Sequence, residues 1–260
     1  MKKLTTALFV TALTISQINY AADASADDSS PDDDKDNPAL ADTSNPKDEP
    51  WVTGTFDITT NYMFRGISQS NNTPAFQGGL TFSNKTGFYF NIWGSNVYFP
   101  VEPDETATVE MDLIGGYTHD FADKVSIDIN VDRYNYFKAG NLSYNELIAN
   151  LTLYYLTFQF AYSNNIYNTH SNGFYYNLGA TYDIPSKYIF GLNNMTISGG
   201  IGHSSLHDEG IHSYNDYNIA LTKTIGKYSF AIQWTDTNHQ STDPTGLKNS
   251  KILGTLTANF

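Results

Sequence analysis

The sequence predicts an all-β protein, a transmembrane antiparallel up-and-down β-barrel of about 12 strands. Three observations predict it. Apolar and polar residues alternate through most of the chain after residue 50, which is typical of strands that separate two phases. Long and short connections alternate between these strands. Aromatic residues make up 15% of the chain, yet mean hydropathy is −0.38, and no apolar run reaches the ~20 residues of a membrane helix.

The N-terminal fifth of the chain has a different composition. Residues 1–22 combine two lysines, an apolar stretch and small residues near the end, which predicts a secretory signal peptide. Residues 23–50 hold ten acidic residues against two lysines and cannot bury enough apolar surface to fold, so we expect a disordered acidic leader in the periplasm. Residues 51–260 form the predicted barrel. The chain has no cysteine, which excludes disulfides and thiolate metal sites.

The strands follow from the alternation. In the first one, Phe56, Ile58, Tyr62 and Phe64 share a face, and we expect that face to meet lipid. Eleven further runs alternate in the same way, within residues 76–82, 88–92, 109–117, 125–131, 147–153, 156–162, 174–182, 197–201, 217–221, 228–234 and 252–260. An even number of strands lets an antiparallel barrel close with both termini at one end.

The connections also alternate in length. Polar connections near residues 67–75, 97–107, 138–143, 164–172, 204–213 and 236–249 are long. Those near 84–87, 119–124, 154–155 and 225–227 are tight, with 184–194 as the exception. This predicts short periplasmic turns and longer extracellular loops in a bacterial outer membrane. A soluble sandwich or lipocalin-like barrel also alternates, but gives no reason for one-sided loops.

The chain ends on KILGTLTANF, which alternates to the last residue. We expect this run to be the closing strand, with the ring of Phe260 at the periplasmic interface, where aromatic girdles lie. The ending also resembles the C-terminal signal that the outer-membrane barrel assembly machinery reads. That machinery is therefore an expected partner, together with outer-membrane lipid.

Three stretches resemble a known bacterial family. They are NYMFRGISQSNNTPAFQGGLTF at 61–82, GFYFNIWGSNV at 87–97 and VEMDLIGGY at 109–117. They resemble the Gcw_chp proteins, also called TorF family porins. The resemblance implies an outer-membrane location and a pore with no assigned substrate. Asn61 and Met63 stand where many members have Asp and Arg, and the acidic leader is not part of the family pattern.

If the apolar face meets lipid, the other face lines the lumen. Its carboxylates are Asp57, Glu110, Asp112, Asp128, Asp132, Glu146, Asp183 and Asp216, and its main cations are Arg65 and Lys251. Excess carboxylates in a channel concentrate cations. We therefore expect passive diffusion of small solutes, neutral or cation-leaning. The alternative is that these groups form a satisfied polar network that blocks the lumen.

Arg65 stands out in the run Arg65-Gly66-Ile67-Ser68-Gln69, at the outer end of the first predicted strand. Its five fixed donors suit inward carboxylates or loop carbonyls. With Gly66, Ser68 and Gln69 it is therefore predicted to position the first loop. Direct contact with a solute is the alternative role.

Two other classes of function remain open. A non-conducting structural or adhesive barrel would act through its loops. A lipid hydrolase is the enzymatic rival, because His203, Ser205 and Asn215 would point outward near the outer interface. Their spacing resembles the Ser/His/Asn arrangement of outer-membrane phospholipase A, another 12-stranded barrel. Nothing else in the chain supports that family, so no catalytic residue is predicted.

Other partners are few. Histidines and carboxylates in residues 202–213 lack a helix to fix them, so no metal site is predicted. No phosphate loop, nucleotide fingerprint or basic patch is visible, which predicts no cofactor and no nucleic acid partner. The sequence leaves open whether barrels associate as homo-oligomers.

Overall fold

The computed structural model describes residues 51–102, 105–122, 124–189, 191–206, 212–238 and 245–260. The predicted signal peptide and acidic leader lie outside these residues. Within them, twelve strands form a closed antiparallel barrel in which each strand pairs with its neighbours in sequence and the last pairs with the first. This confirms the predicted fold class.

The strands are numbered in chain order. The barrel consists of β1 (Val52–Thr59), β4 (Ala75–Ser83), β5 (Phe88–Glu102), β6 (Glu105–Ala122), β7 (Val125–Tyr136), β8 (Tyr144–Leu153), β9 (Leu156–Ser163), β10 (Gly173–Ile184), β11 (Met195–Leu206), β12 (Tyr214–Ile225), β13 (Tyr228–Thr237) and β14 (Lys251–Asn259). Two short strands, β2 (Met63–Phe64) and β3 (Ile67–Ser68), pair only with each other. Three 3-10 turns complete the described structure, at Gly140–Leu142, Ile166–Asn168 and Ser186–Tyr188, and none of these helical segments could cross a membrane.

The outside of the barrel is apolar. Phe56, Leu178 and Ile232 are 45%, 46% and 66% exposed, and the polar residues next to them in sequence point inward. A closed barrel leaves no unpaired strand edge, which matters because lipid cannot hydrogen-bond to backbone groups. The alternation read from the sequence therefore matches a wall between lipid and lumen.

The two ends of the barrel differ. We call the end with the connections after β4, β6, β8, β10 and β12 the short-turn end, and the opposite end the long-loop end. Both chain ends of the barrel, Trp51 and Phe260, lie at the short-turn end. Exposed aromatic side chains gather there, at Trp51, Phe88, Phe121, Tyr154, Tyr188, Tyr228 and Phe260. This arrangement is typical of an aromatic girdle at a membrane interface.

Two backbone hydrogen bonds complete the seam between β1 and the C-terminus. The amide of Gly54 donates to the Phe260 carbonyl at 2.6 Å, and the amide of Phe260 donates to the Gly54 carbonyl at 3.0 Å. The Phe260 ring lies over Gly54, where a Cβ atom would meet its Cε2 at 2.4 Å. Only glycine leaves room for the ring in this position.

The role of Phe260 as an assembly signal stays a prediction. Phe260→Ala keeps both backbone bonds but removes the ring, so we expect a several-fold smaller fraction of folded barrel in the outer membrane. Heat-modifiable migration on gels measures this fraction. Tyr228→Ala is the matched control, because Tyr228 is another exposed aromatic residue at the short-turn end. Equal losses in both variants would mean a general girdle effect and no specific signal.

The first strand differs from its prediction. It ends at Thr59, and Tyr62 and Phe64 are each 1% exposed inside the barrel, so their predicted place on the lipid face is wrong. The alternation continued through these residues because β2 and β3 also have one apolar side. Periodicity cannot distinguish lipid from an apolar cluster inside the lumen, since both are apolar phases.

A second difference concerns the connection predicted near residues 97–107. Here β5 continues to Glu102 and β6 begins at Glu105. The register between the two strands shifts after Asn96 and again after Pro100. The side chains of Val97 and Phe99 are buried, at 5% and 4% exposure. Packing against the residues inside the barrel therefore extends these strands beyond the point where polar residues and Pro100 indicated a loop.

Candidate functional site

A hairpin fills part of the lumen and organises the candidate site. We call residues 61–70 the lumen hairpin; it contains β2, β3 and the turn between them. Phe64 pairs with Ile67 across a two-residue turn in which Arg65 and Gly66 have φ of 44° and 78°. Two positive φ values are typical of a type I′ hairpin turn, whose twist suits paired strands. Arg65 thus lies at the tip of a hairpin inside the barrel. Its predicted position at the outer end of the first strand is therefore wrong.

Gly66 is required here for two reasons. A side chain at φ +78° is strained, and a Cβ atom would lie 2.5 Å from Thr237 Cγ2 and 3.0 Å from Asp216 Cβ. Glycine at this position therefore lets the turn approach the inner wall at β12 and β13 more closely than a residue with a side chain would allow.

Polar contacts fix the base of the lumen hairpin. Ser68 Oγ donates to Asn61 Oδ1 at 2.6 Å, and the Gln69 amide donates to the Tyr62 carbonyl at 2.7 Å. Gln69, which is 0% exposed, also donates from Nε2 to the Ile67 carbonyl at 2.9 Å. The Ser68 amide binds the carbonyl of Leu247, in the connection before β14, at 2.9 Å. Ser68 and Gln69 therefore join the hairpin to itself and to the wall.

The tip of the hairpin carries a buried ion pair. Arg65 Nη2 and Nη1 donate to the two carboxylate oxygens of Glu146 on β8, at 2.8 and 3.1 Å. The two side chains are 5% and 0% exposed. The guanidinium carbon also lies 4.4 Å from the ring centre of Phe64 and 4.1 Å from that of Tyr175. A bidentate pair with stacked rings fixes orientation as well as charge.

Tyrosine hydroxyls satisfy part of the surrounding acidic cluster. Glu110, which is 0% exposed, accepts hydrogen bonds from Tyr62 and Tyr136, both at 3.2 Å. Tyr134 donates to Glu146 at 3.2 Å, and Tyr175 donates to Asp216 at 3.2 Å. The Tyr62 contact connects the hairpin to β6, and the other three contacts join barrel strands to one another.

Other lumen carboxylates are buried with fewer contacts. Asp112 and Asp132 are 2% and 1% exposed, and Asp132 lies directly opposite Glu146 on the neighbouring strand. Neither Asp132 oxygen has a hydrogen-bond partner among the described residues. Only the Arg65 guanidinium lies among these buried carboxylates in the part of the chain described. Among the described residues, the long-loop half of the lumen therefore holds more acidic than basic side chains.

Two predicted site residues lie elsewhere. Asp57 accepts a short hydrogen bond from Thr257 Oγ1, and Asp128 accepts one from Tyr89 at 2.8 Å. Both are half-buried and closer to the short-turn end. The structure thus brings together Arg65, Gly66, Ser68, Gln69, Glu110, Asp112 and Glu146, and separates Asp57 and Asp128 from them.

The two halves of the lumen differ in content. Aromatic and apolar side chains pack with the hairpin in the long-loop half, where Tyr134 and Tyr144 stack with ring centres 4.7 Å apart and Tyr167 meets Tyr144 at 5.3 Å. Half-buried small or amide side chains line the other half, including Thr81, Asn91, Asn150, Asn177, Asn218 and Gln233. The hairpin therefore fills the long-loop half of the lumen, next to a more polar half.

The sequence analysis missed the inward tyrosines. Tyr134, Tyr144, Tyr175 and Tyr214 are 0–5% exposed and hold the hairpin or the acidic cluster. The signal was available in the alternation along β7. Tyr134 and Tyr136 share one face of that strand with Asp128 and Asp132. An aromatic residue on the polar side of a strand thus indicated a filled lumen.

Metal chemistry has no visible support in the described ranges. No group of three or more His, Asp or Glu side chains among those residues could hold a metal ion. Residues 207–211, which contain part of the histidine-rich stretch 202–213, lie outside the residues that the structure describes.

Residues 43–260 match the model of a family described as "Bacterial protein of unknown function (Gcw_chp)". The chain belongs to this family. No curated protein matches the chain. Membership in the Gcw_chp family therefore agrees with the resemblance in residues 61–117 and extends it over the whole barrel, without adding an assigned activity.

A solved porin shares the fold of this Gcw_chp protein, and other solved structures are similar to it. A NanC porin is similar over 80% of this chain and 98% of its own, with a TM-score of 0.50 and 11% identity. A KdgM porin in complex with disordered oligogalacturonate covers the same shares at a TM-score of 0.45 and 9% identity. OpdK of Pseudomonas aeruginosa with vanillate covers 82% of this chain and 66% of its own, with a TM-score of 0.41 and 9% identity. At these identities the likeness concerns the fold alone.

Proposed function

We propose that this Gcw_chp protein is an outer-membrane channel for the passive diffusion of small solutes, with the lumen hairpin as its constriction. The observation that carries the proposal is a closed barrel, apolar outside and polar inside, whose long-loop half holds a hairpin clamped by the buried Arg65–Glu146 pair. A polar vestibule beneath a charged constriction is the arrangement expected of a selective pore. The channel requires no catalytic residue and no cofactor.

The charges of the lumen favour cations over anions. Glu110, Asp112, Asp132 and Asp216 are buried in the same half of the lumen as the Arg65 guanidinium, which Glu146 already neutralises. In a narrow passage with low-dielectric walls, fixed negative charge attracts cations and repels anions. The proposed solutes are therefore small and neutral or positively charged.

Reversal potentials test this selectivity. The mature protein in a planar bilayer under a KCl gradient should give a potential of the sign expected for K⁺ preference. Asp112→Asn should lower the potential, because it removes charge at the constriction. Asp120→Asn is the matched control on the same strand, since Asp120 is exposed near the short-turn end and should have little effect. Anion preference of the wild type would contradict the proposal.

The filled long-loop half supports a second candidate, a non-conducting structural or adhesive barrel. This candidate differs from the first in one measurement. A barrel that shows heat-modifiable folding but passes no current, even when Arg65→Ala removes the clamp, would favour the structural role.

The location and partners follow from the same proposal. Outer-membrane lipid surrounds the apolar wall, and the barrel assembly machinery inserts it through the C-terminal strand. Because β1 begins at the short-turn end, a leader preceding Trp51 would lie in the periplasm. Association of barrels into homo-oligomers is compatible with this arrangement.

A further inference from the structure

Three polar residues lie together on the lipid-facing wall near the long-loop end. His203 and Ser205 are two residues apart on β11, and Asn215 is directly opposite His203 on β12. The residues between them point the other way, since Gly202, Ser204 and Leu206 are buried inside the barrel. Residues i and i+2 of a strand share one face. The channel proposal uses none of the three outward side chains.

The histidine is oriented by the asparagine. His203 Nδ1 lies 2.7 Å from Asn215 Oδ1. An amide oxygen only accepts hydrogen bonds, so Nδ1 is the donor in this contact, and a neutral imidazole in this tautomer has its lone pair on Nε2. A histidine held in this tautomer by a neighbouring side chain can act as a general base.

Ser205 is the nucleophile that such a base would serve. It lies on the same face as His203, one step nearer the long-loop end, and is opposite Phe174 of β10. No hydrogen bond joins its hydroxyl to any residue within the described ranges. A serine beside an oriented histidine is the arrangement on which acyl transfer depends.

An apolar groove on the outer wall reaches two of the three residues, His203 and Asn215. It has a volume of about 590 Å³, and its lining includes Phe158, Phe160, Leu178, Ile201, His203 and Asn215. Phe158, Leu178 and Ile201 lie in one row across the strands, one step closer to the membrane centre than Phe160 and His203. These side chains are 37–61% exposed and thus face lipid. An acyl chain in the groove would bring its ester to the level of His203.

We propose that His203, Ser205 and Asn215 form a site that hydrolyses acyl esters of membrane lipids. Ser205 Oγ attacks the ester carbonyl carbon while His203 Nε2 takes the hydroxyl proton. The carbonyl–alkoxy bond then breaks, the leaving alcohol receives that proton, and the acyl group stays on Ser205. Water, activated by the same nitrogen, releases the fatty acid and restores the serine. Asn215 is a positioning residue, since its side-chain oxygen contacts His203 and no reacting atom.

Fatty acid release from vesicles tests the site. The mature protein is reconstituted in phosphatidylethanolamine–phosphatidylglycerol vesicles with a labelled acyl chain. Wild type should release labelled fatty acid, and Ser205→Ala or His203→Ala should lower the rate at least about 100-fold. Asn215→Ala should cause a smaller loss. A fluorophosphonate probe should label Ser205 in the wild type but react much more slowly with His203→Ala, because the reaction needs the base.

Matched controls separate chemistry from folding. Ser204→Ala changes the neighbouring serine, which is 1% exposed and points into the barrel. His119→Ala removes an outward histidine near the short-turn end, where it stacks on Tyr117. Both should keep wild-type release, and heat-modifiable migration should be normal throughout. Folded wild-type protein that releases no more fatty acid than empty vesicles, or release that persists in Ser205→Ala, would overturn the inference. Conductance is measured separately and does not depend on this result.

Discussion

Replacing Arg65 by alanine is expected to lower the free energy of unfolding of the barrel by about 3–5 kcal/mol, because it leaves Glu146 buried without its countercharge. Glu146 is 1% exposed, and after the change only the Tyr134 hydroxyl, among the described residues, would still bind its carboxylate. The substitution also removes the guanidinium that lies between Phe64 and Tyr175. The tip of the lumen hairpin would then have no charged contact with the wall.

Urea unfolding in lipid vesicles, followed by tryptophan fluorescence, measures this change. Trp93 is a suitable reporter because it is 7% exposed and its ring centre lies 5.6 Å from that of Tyr62 in the hairpin. Combining Arg65→Ala with Glu146→Gln should recover part of the loss, since no uncompensated charge remains.

Single-channel recording of the same variant connects the clamp to the proposed function. A hairpin without its anchor should leave the lumen more often, so Arg65→Ala should increase conductance or the open time. Arg133→Ala is the matched control, because Arg133 lies on the outer face and, within the part of the chain that the structure describes, bonds to the amide side chains of Asn135 and Asn145. If Arg65→Ala lowers the free energy of unfolding by less than about 1 kcal/mol, which is the range of a surface ion pair, then the Arg65–Glu146 pair does not hold the hairpin.

Gly66→Ala is expected to cost about 2–5 kcal/mol, the sum of two separate effects. Alanine at a left-handed φ costs about 1–2 kcal/mol, and overpacking adds about 1–3 kcal/mol. The second effect arises because the new methyl group would lie 2.5 Å from Thr237 Cγ2 and close to the backbone carbonyl of Asp236. The hairpin can relieve this contact only by moving away from the wall.

A second glycine separates the two effects. Gly226 has φ +57° in the turn between β12 and β13, and a Cβ atom there would have no neighbour within 4 Å. Gly226→Ala should therefore cost only the backbone strain and leave conductance unchanged. Gly66→Ala should cost more and also change the current through the channel. Equal effects of the two substitutions on stability and current would mean that the hairpin tip does not pack against the wall.

Only part of the candidate site could be predicted from the sequence. The inward positions of Glu110, Asp112 and Glu146 follow from strand parity, which is a local property of the backbone. The partner of Arg65 does not, because it depends on a hairpin that brings residue 65 beside a strand 81 positions later. Likewise, the outward face of His203 was readable, but its contact with Asn215 depends on the register between β11 and β12.

The sequence by itself determined the closed barrel: the number of barrel strands, the alternation of short and long connections, and the face that most residues of those twelve strands occupy. Each of these depends on a period of two and on local turn composition. Only the tertiary structure decided what occupies the lumen. Tyr62 and Phe64 alternate just as lipid-facing residues do, and an aromatic side chain is stabilised equally by lipid or by a packed interior. The direction of the chain after Thr59 distinguishes these environments, and contacts with distant strands set that direction.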